Sequence, residues 1–134
     1  MNDTATPPLP PPLDREQGII AFNRRVLALA ESPNAPLLER LRYITIVSSN
    51  LDELFEIRVA ELKEIARSNT PLAATARASI ATLAVSAREL VERQYQVLRG
   101  DILPALGAEG VKVFFPAQWD DALRNWAYQV FMSE

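Results

Sequence analysis

Apolar side chains recur at spacings of three and four through most of the chain, which is the period of an amphipathic helix. Between Glu16 and Glu31 the stripe Ile19, Phe22, Val26 and Leu29 predicts a first helix with that face buried. Ser32-Pro33-Asn34-Ala35-Pro36 should end it, because proline restricts the residue before it and cannot continue a hydrogen-bonded turn. A second helix is predicted to start near Pro36, with Leu37, Leu38, Leu41, Ile44 and Val47 inward and Tyr43 and Ile46 widening the apolar sector. Ser48-Ser49-Asn50 then interrupts the apolar text. Ser49 is expected to cap a third helix, with Asp52 in the position that returns the bond and Leu51, Phe55, Val59, Leu62 and Ile65 facing the core. Ser68-Asn69-Thr70-Pro71 should stop that helix. A fourth is expected over about 74–99, with Ile80, Leu83, Ala87, Leu90, Val91 and Leu98 inside.

Short connections between four helices, with no recurring period, point to an all-α antiparallel helical bundle of two hairpins. After Arg99 the pattern changes. Gly107 and Gly110 precede Val111-Lys112-Val113-Phe114-Phe115, which reads as a short strand. A helix after Pro116 would carry Trp119, Leu123, Trp126 and Val130 toward a partner surface. A lone strand leaves backbone groups unpaired. Residues 103–134 are therefore expected to begin a second domain, of α/β or α+β type, that continues in a larger protein. Residues 14–102 would form the helical domain. Residues 1–13, with Pro7, Pro8, Pro10, Pro11 and Pro12, read as a solvated leader of polyproline character.

Charge narrows the range of functions. Arginine and lysine total 14 against 17 acidic residues, for a net charge of -3, so no broad basic face for duplex nucleic acid is implied. Only Lys63 and Lys112 are lysines; the other cations are arginines, which suit bidentate contacts to carboxylate or phosphate. The chain has no cysteine and no histidine, which excludes thiolate chemistry, histidine zinc ligands and a phosphohistidine within these residues. No apolar run approaches the roughly 20 residues that span a bilayer. A cytoplasmic setting is the expectation.

The most informative stretch chemically is Ser48 to Val59. A helix beginning there would expose unpaired amides to an anion or a polar ligand edge. Asn50 adds a donor and an acceptor on one side chain, the pairing suited to an adenine edge. Capping alone also accounts for Ser-Ser-Asn ahead of an apolar helix. Arg58 is expected to pair with Glu61 or Glu53 rather than with a ligand, and Asp52 and Glu53 diverge too far on a helix to form an acid–base or metal pair. Arg24 and Arg25 read as a solvated face, with a phosphate-facing patch as the alternative. Trp119 and Trp126 suit interdomain packing better than base stacking. Neither Gly107 nor Gly110 opens a phosphate-binding loop ending in Gly-Lys-Ser or Gly-Lys-Thr.

Three blocks in register carry a resemblance. They are Ala21-Phe22-Asn23-Arg24-Arg25-Val26-Leu27, then Pro36-Leu37-Leu38-Glu39-Arg40-Leu41-Arg42-Tyr43, then Ser48-Ser49-Asn50-Leu51-Asp52-Glu53-Leu54-Phe55 running on through Ile57-Arg58-Val59-Ala60-Glu61-Leu62-Lys63. Together they resemble the amino-terminal region of the family-1 polyphosphate kinases. The resemblance implies part of a longer enzyme that makes polyphosphate reversibly from the terminal phosphate of ATP through a phosphorylated histidine. It further implies a helical domain covering the adenine side of the nucleotide, with Asn50 as the nucleotide-contacting asparagine. ATP or ADP, polyphosphate and the remaining domains would be the partners, and Mg would be bound by domains outside this chain. The resemblance also implies a homo-oligomer built partly through the following head domain, which would open near Leu103. No nucleic acid is expected, and the full enzyme would be cytoplasmic with scope for peripheral membrane association. One departure stands out: Glu16-Gln17-Gly18-Ile19 replaces the family's usual Glu-Leu-Ser-Trp, so Ile19 stands where tryptophan is usual. The competing reading is a non-catalytic helical interaction module without nucleotide contact.

Overall fold

The computed structural model describes residues 15–133, so the proline-rich leader lies outside the described residues. Helix α1 spans Arg15–Glu31, α2 spans Leu37–Glu53, and α3 spans Ala60–Arg67. Between α2 and α3 the backbone keeps helical angles through a π-helical segment, π1, Leu54–Val59. Residues 37–67 are thus one rod of roughly 45 Å at about 1.5 Å per residue. The same happens in the second half. Helix α4, Ala73–Val97, runs through a π segment, π2, Leu98–Ile102, into α5, Leu103–Ala108.

The expected break at Ser48-Ser49-Asn50 is not there. Ser49 caps nothing, because the carbonyl of Asn50 already accepts the amide of Leu54 inside a continuous helix. Polar residues stay mid-helix here because partners on other helices satisfy them. Ser48 Oγ accepts a hydrogen bond from Gln94 Nε2 at 2.7 Å, and Asn50 bonds to Asn23. Helices two and three of the sequence reading therefore merge into one. The all-α bundle stands, but with three rods rather than two separate hairpins.

Each π segment has a cause in the spacing of the core residues. Val47, Leu51 and Leu54 are buried at intervals of four and three, but the next buried residue, Val59, lies five positions on. Val97 and Ile102 repeat that five-residue step before Leu106 resumes at four. An α-turn would swing Val59 and Ile102 off the core face. The wider π-turn absorbs the extra residue and keeps each in place.

Hydrogen bonds fix the helix directions. Asn50 meets Asn23 and Arg40 meets the Ala30 carbonyl, so α1 and α2 are antiparallel. Gln94 meets Ile44 and Arg40 meets Asp101, so α2 runs against α4 and π2. The pairs Gln17–Ser86, Arg24–Glu89 and Glu31–Arg93 make α1 parallel to α4. Helix α1 therefore lies along one half of the long hairpin. In the other half, α3 packs on the alanine-rich start of α4, where Ala73 and Ala76 are buried.

The buried face of α1 is rotated from the expected stripe. Ile20, Asn23, Leu27 and Ala30 point inward with Val26, whereas Phe22 and Leu29 are half exposed. Leu38, Phe55 and Ile65 are likewise more exposed than the pattern implied, and Leu54, left out of the expected core, is among its most buried residues. In α4, Leu83, Ala87 and Leu90 are buried as expected.

Residues 111–115 form no strand. Their polar groups are engaged locally: Val111 N–H donates to the Leu106 carbonyl, Phe115 N–H to Gln118 Oε1, and Trp119 Nε1 to the Phe114 carbonyl. Gly110, with φ of +85°, ends α5 by returning its own amide to Gly107 and passing the Val111 amide to Leu106. After a 3-10 turn at Pro116–Gln118, α6 spans Asp121–Ser133, and its N-terminus is capped by Asp120 Oδ1 on the Leu123 amide. Trp119 falls outside this helix, so it does not share a helical face with Trp126. No residue of α6 is buried; Trp126, Tyr128, Phe131 and Met132 are all largely exposed. Among the described residues no helix is long and apolar enough to cross a membrane.

Candidate functional site

A cleft of about 430 Å³ opens where the first half of α1 crosses the end of α2 and π1. Helix α1 supplies Ile19, Phe22 and Asn23, α2 supplies Asn50 and Glu53, and π1 supplies Leu54, Ile57 and Arg58. Arg15 and Gly18 complete the lining from the start of α1. The volume lies within the range typical of small-molecule sites. Phe22 and Ile57, at 49% and 47% exposure, leave apolar surface open on the cleft side of the bundle, where a planar aromatic ligand can cover it.

The polar centre of the cleft is a pair of amides. Asn23 is fully buried; its Nδ2 donates to the Ile19 carbonyl at 3.0 Å, and its Oδ1 accepts from Asn50 Nδ2 at 2.8 Å. Asn50 is partly exposed and retains a carbonyl oxygen and a second N–H after that bond. The sequence reading singled out Asn50 and the structure places it on the cleft wall. The reason differs from the expected one: α2 runs on without a break through Ser49 and Asn50, so no helix N-terminus opens at that point.

Of the other candidates, Arg58 and Glu53 line the cleft, whereas Arg24, Arg25 and Asp52 do not. Arg58 borders the cleft, and its Nη1 donates to Glu61 Oε2 at 3.1 Å, the internal pair expected for it. Arg24 reaches away to Glu89, and Arg25 lies over the Phe22 ring at 6.0 Å. Asp52 is exposed, and among the described residues no three acidic side chains converge to hold a metal ion. Sequence reasoning gave no role to Asn23. The available signal was a polar residue in register with Ile20, Leu27 and Ala30, in a position where the helix would otherwise bury an apolar side chain.

A profile of the polyphosphate kinase N-terminal domain matches residues 13–114. The chain belongs to that family. Polyphosphate kinase from Burkholderia multivorans is 46% identical over 128 residues, covering 92% of this chain and 19% of the relative. The Burkholderia cenocepacia and Paraburkholderia phytofirmans polyphosphate kinases are 45% and 44% identical over the same length. The chain thus spans about a fifth of the curated relatives it matches. No solved structure matches it. The match covers the whole bundle, all of the cleft and the Gly110 turn.

Proposed function

We propose that this polyphosphate kinase N-terminal domain receives the adenine side of ATP in the cleft between α1 and π1, with Asn50 reading the base edge. The observation that carries the reading is the half of the Asn50 amide left over from its bond to Asn23, in a cleft that Phe22 and Ile57 also line. An acceptor beside a donor matches the amino group and the ring nitrogen of adenine. Transfer of the terminal phosphate to polyphosphate, through a phosphohistidine, falls to other domains of a longer enzyme, since these residues include no histidine. Magnesium is proposed to bind there too, with the phosphates that are transferred. We read the enzyme as a cytoplasmic oligomer, with the segment after the Gly110 turn, rather than Leu103, opening the next domain. The exposed apolar side chains of α6 support packing against further protein.

The division of labour has a physical basis. Phosphoryl transfer needs a positioned nucleophile and dense positive charge at the moving phosphate. A base contact far from that centre acts mainly on nucleotide binding. In the full-length kinase, Asn50→Ala is therefore expected to raise the KM for ATP with a smaller change in kcat, while circular dichroism still shows a folded bundle. Unchanged ATP kinetics in the folded variant would favour the interaction-module reading.

A further inference from the structure

An amide side chain is nearly symmetric in shape but not in chemistry, for one end accepts and the other donates. A half turn about its last bond exchanges the two, and with them the base edge it can recognise. Asn50 by itself has no reason to prefer either orientation. Asn23 supplies one. The Ile19 carbonyl can only accept, so the amino end of Asn23 must face it, across 3.0 Å. That turns Asn23 Oδ1 toward Asn50, and an oxygen without a proton requires the amino end of Asn50, 2.8 Å away. The carbonyl oxygen of Asn50 is left facing away from Asn23. Because Asn23 is 0% exposed, water cannot stand in for either bond.

Resting on the adenine reading above, we propose that Asn23 is a positioning residue that sets base selectivity. By anchoring to a backbone carbonyl of its own helix, it locks an acceptor at the outward end of Asn50. For a base seated in the adenine pose, that acceptor accepts a hydrogen bond from the 6-amino group of adenine and opposes the 6-oxo group of guanine, oxygen against oxygen. Asn23 touches no base; it acts through Asn50. Its i to i−4 anchor and its reach to α2 both depend on its place on the buried face of α1, between Ile20 and Leu27.

The test compares ATP and GTP as probes on the full-length kinase and its Asn23→Leu and Asn50→Ala variants, with affinities read by isothermal titration calorimetry. The native kinase is expected to prefer ATP by about tenfold or more. In Asn23→Leu, which is close in size, Asn50 becomes free to turn. ATP binding should then weaken by about threefold or less while GTP binding strengthens, bringing the ratio toward one. A gain in GTP affinity is something a merely structural role does not produce. An unchanged ATP-to-GTP ratio in folded Asn23→Leu overturns the positioning role. Unchanged ATP binding in folded Asn50→Ala, or no nucleotide binding by the native kinase, overturns the adenine reading and this proposal with it. Should Asn23→Leu fail to fold, side-chain amide exchange in the native kinase decides. Slow exchange of one Asn50 Nδ2 proton supports the lock, and exchange as fast as at an exposed asparagine overturns it.

Discussion

Arg40 and Asp101 should respond unequally to mutation, in the order opposite to the one their burial first suggests. Arg40 lies on α2, and its side chain is 7% exposed. Its Nε donates to the Ala30 carbonyl at 2.8 Å, and Nη2 pairs with Asp101 on π2, so one guanidinium ties the end of α1 to both long rods. Asp101 is 55% exposed. Removing the carboxylate in Asp101→Ala leaves a buried cation with one carbonyl partner. Orphaning a fully buried charge costs about 3–5 kcal/mol, and the water that already reaches Asp101 brings this down to about 2 kcal/mol. Removing the cation in Arg40→Met leaves a carboxylate that water can hydrate. The loss is then mainly one charge-assisted hydrogen bond, partly offset by methionine packing, for a net of about 1 kcal/mol. The double variant should resemble Arg40→Met alone and lie about 1 kcal/mol above Asp101→Ala. Urea unfolding followed by far-ultraviolet circular dichroism resolves such differences. For a bundle of this size, about 2 kcal/mol corresponds to a fall in Tm on the order of 10 °C. A larger cost for Arg40→Met than for Asp101→Ala, or additive costs in the double variant, would show that the buried cation is not what Asp101 supports.

Two glycines should respond in opposite directions. Gly110→Ala is expected to lose about 1 kcal/mol because its φ of +85° disfavours a Cβ, whereas Gly100→Ala in π2 should gain about 0.5–1 kcal/mol, since an added Cβ meets no atom within 4 Å. Melting curves of the two variants check the sign. Leu54→Ala removes a side chain 2% exposed at the junction of α2 and π1 and should cost about 2–4 kcal/mol in a urea titration, while Phe55→Ala, beside it but 43% exposed, should cost under about 1 kcal/mol.

The helix-forming text was readable because its apolar spacing is long and regular, and α1 and α4 begin and end within a residue or two of their expected limits over most of their length. What the pattern hid was continuity. Ser48, Ser49 and Asn50 look like a stop when read locally, since such residues compete for backbone bonds. Gln94 and Asn23, distant in sequence, satisfy Ser48 and Asn50 and remove that competition. The π segments were hidden for a related reason: a strict three-four template selects Phe55 after Leu51, whereas the core uses Leu54 and then Val59. The strand expected at Val111–Phe115 followed from β-branched and aromatic composition, but a strand needs a ladder partner, and local caps take its polar groups instead. Asn50 was legible as a candidate from its amide chemistry and from the family resemblance. Its partner Asn23 was not, because only the fold brings the two asparagines from α1 and α2 together.

On the proposed reading, the Asn23–Asn50 amide pair presents a fixed acceptor to an adenine base in the α1–π1 cleft. A crystal structure of the chain with ATP bound tests it most directly. The 6-amino nitrogen is expected about 2.7–3.2 Å from Asn50 Oδ1, with the ring between Phe22 and Ile57 and the Asn23–Asn50 bond intact. A nucleotide seated elsewhere, or an Asn50 amide turned with its nitrogen toward the 6-amino group, would contradict it.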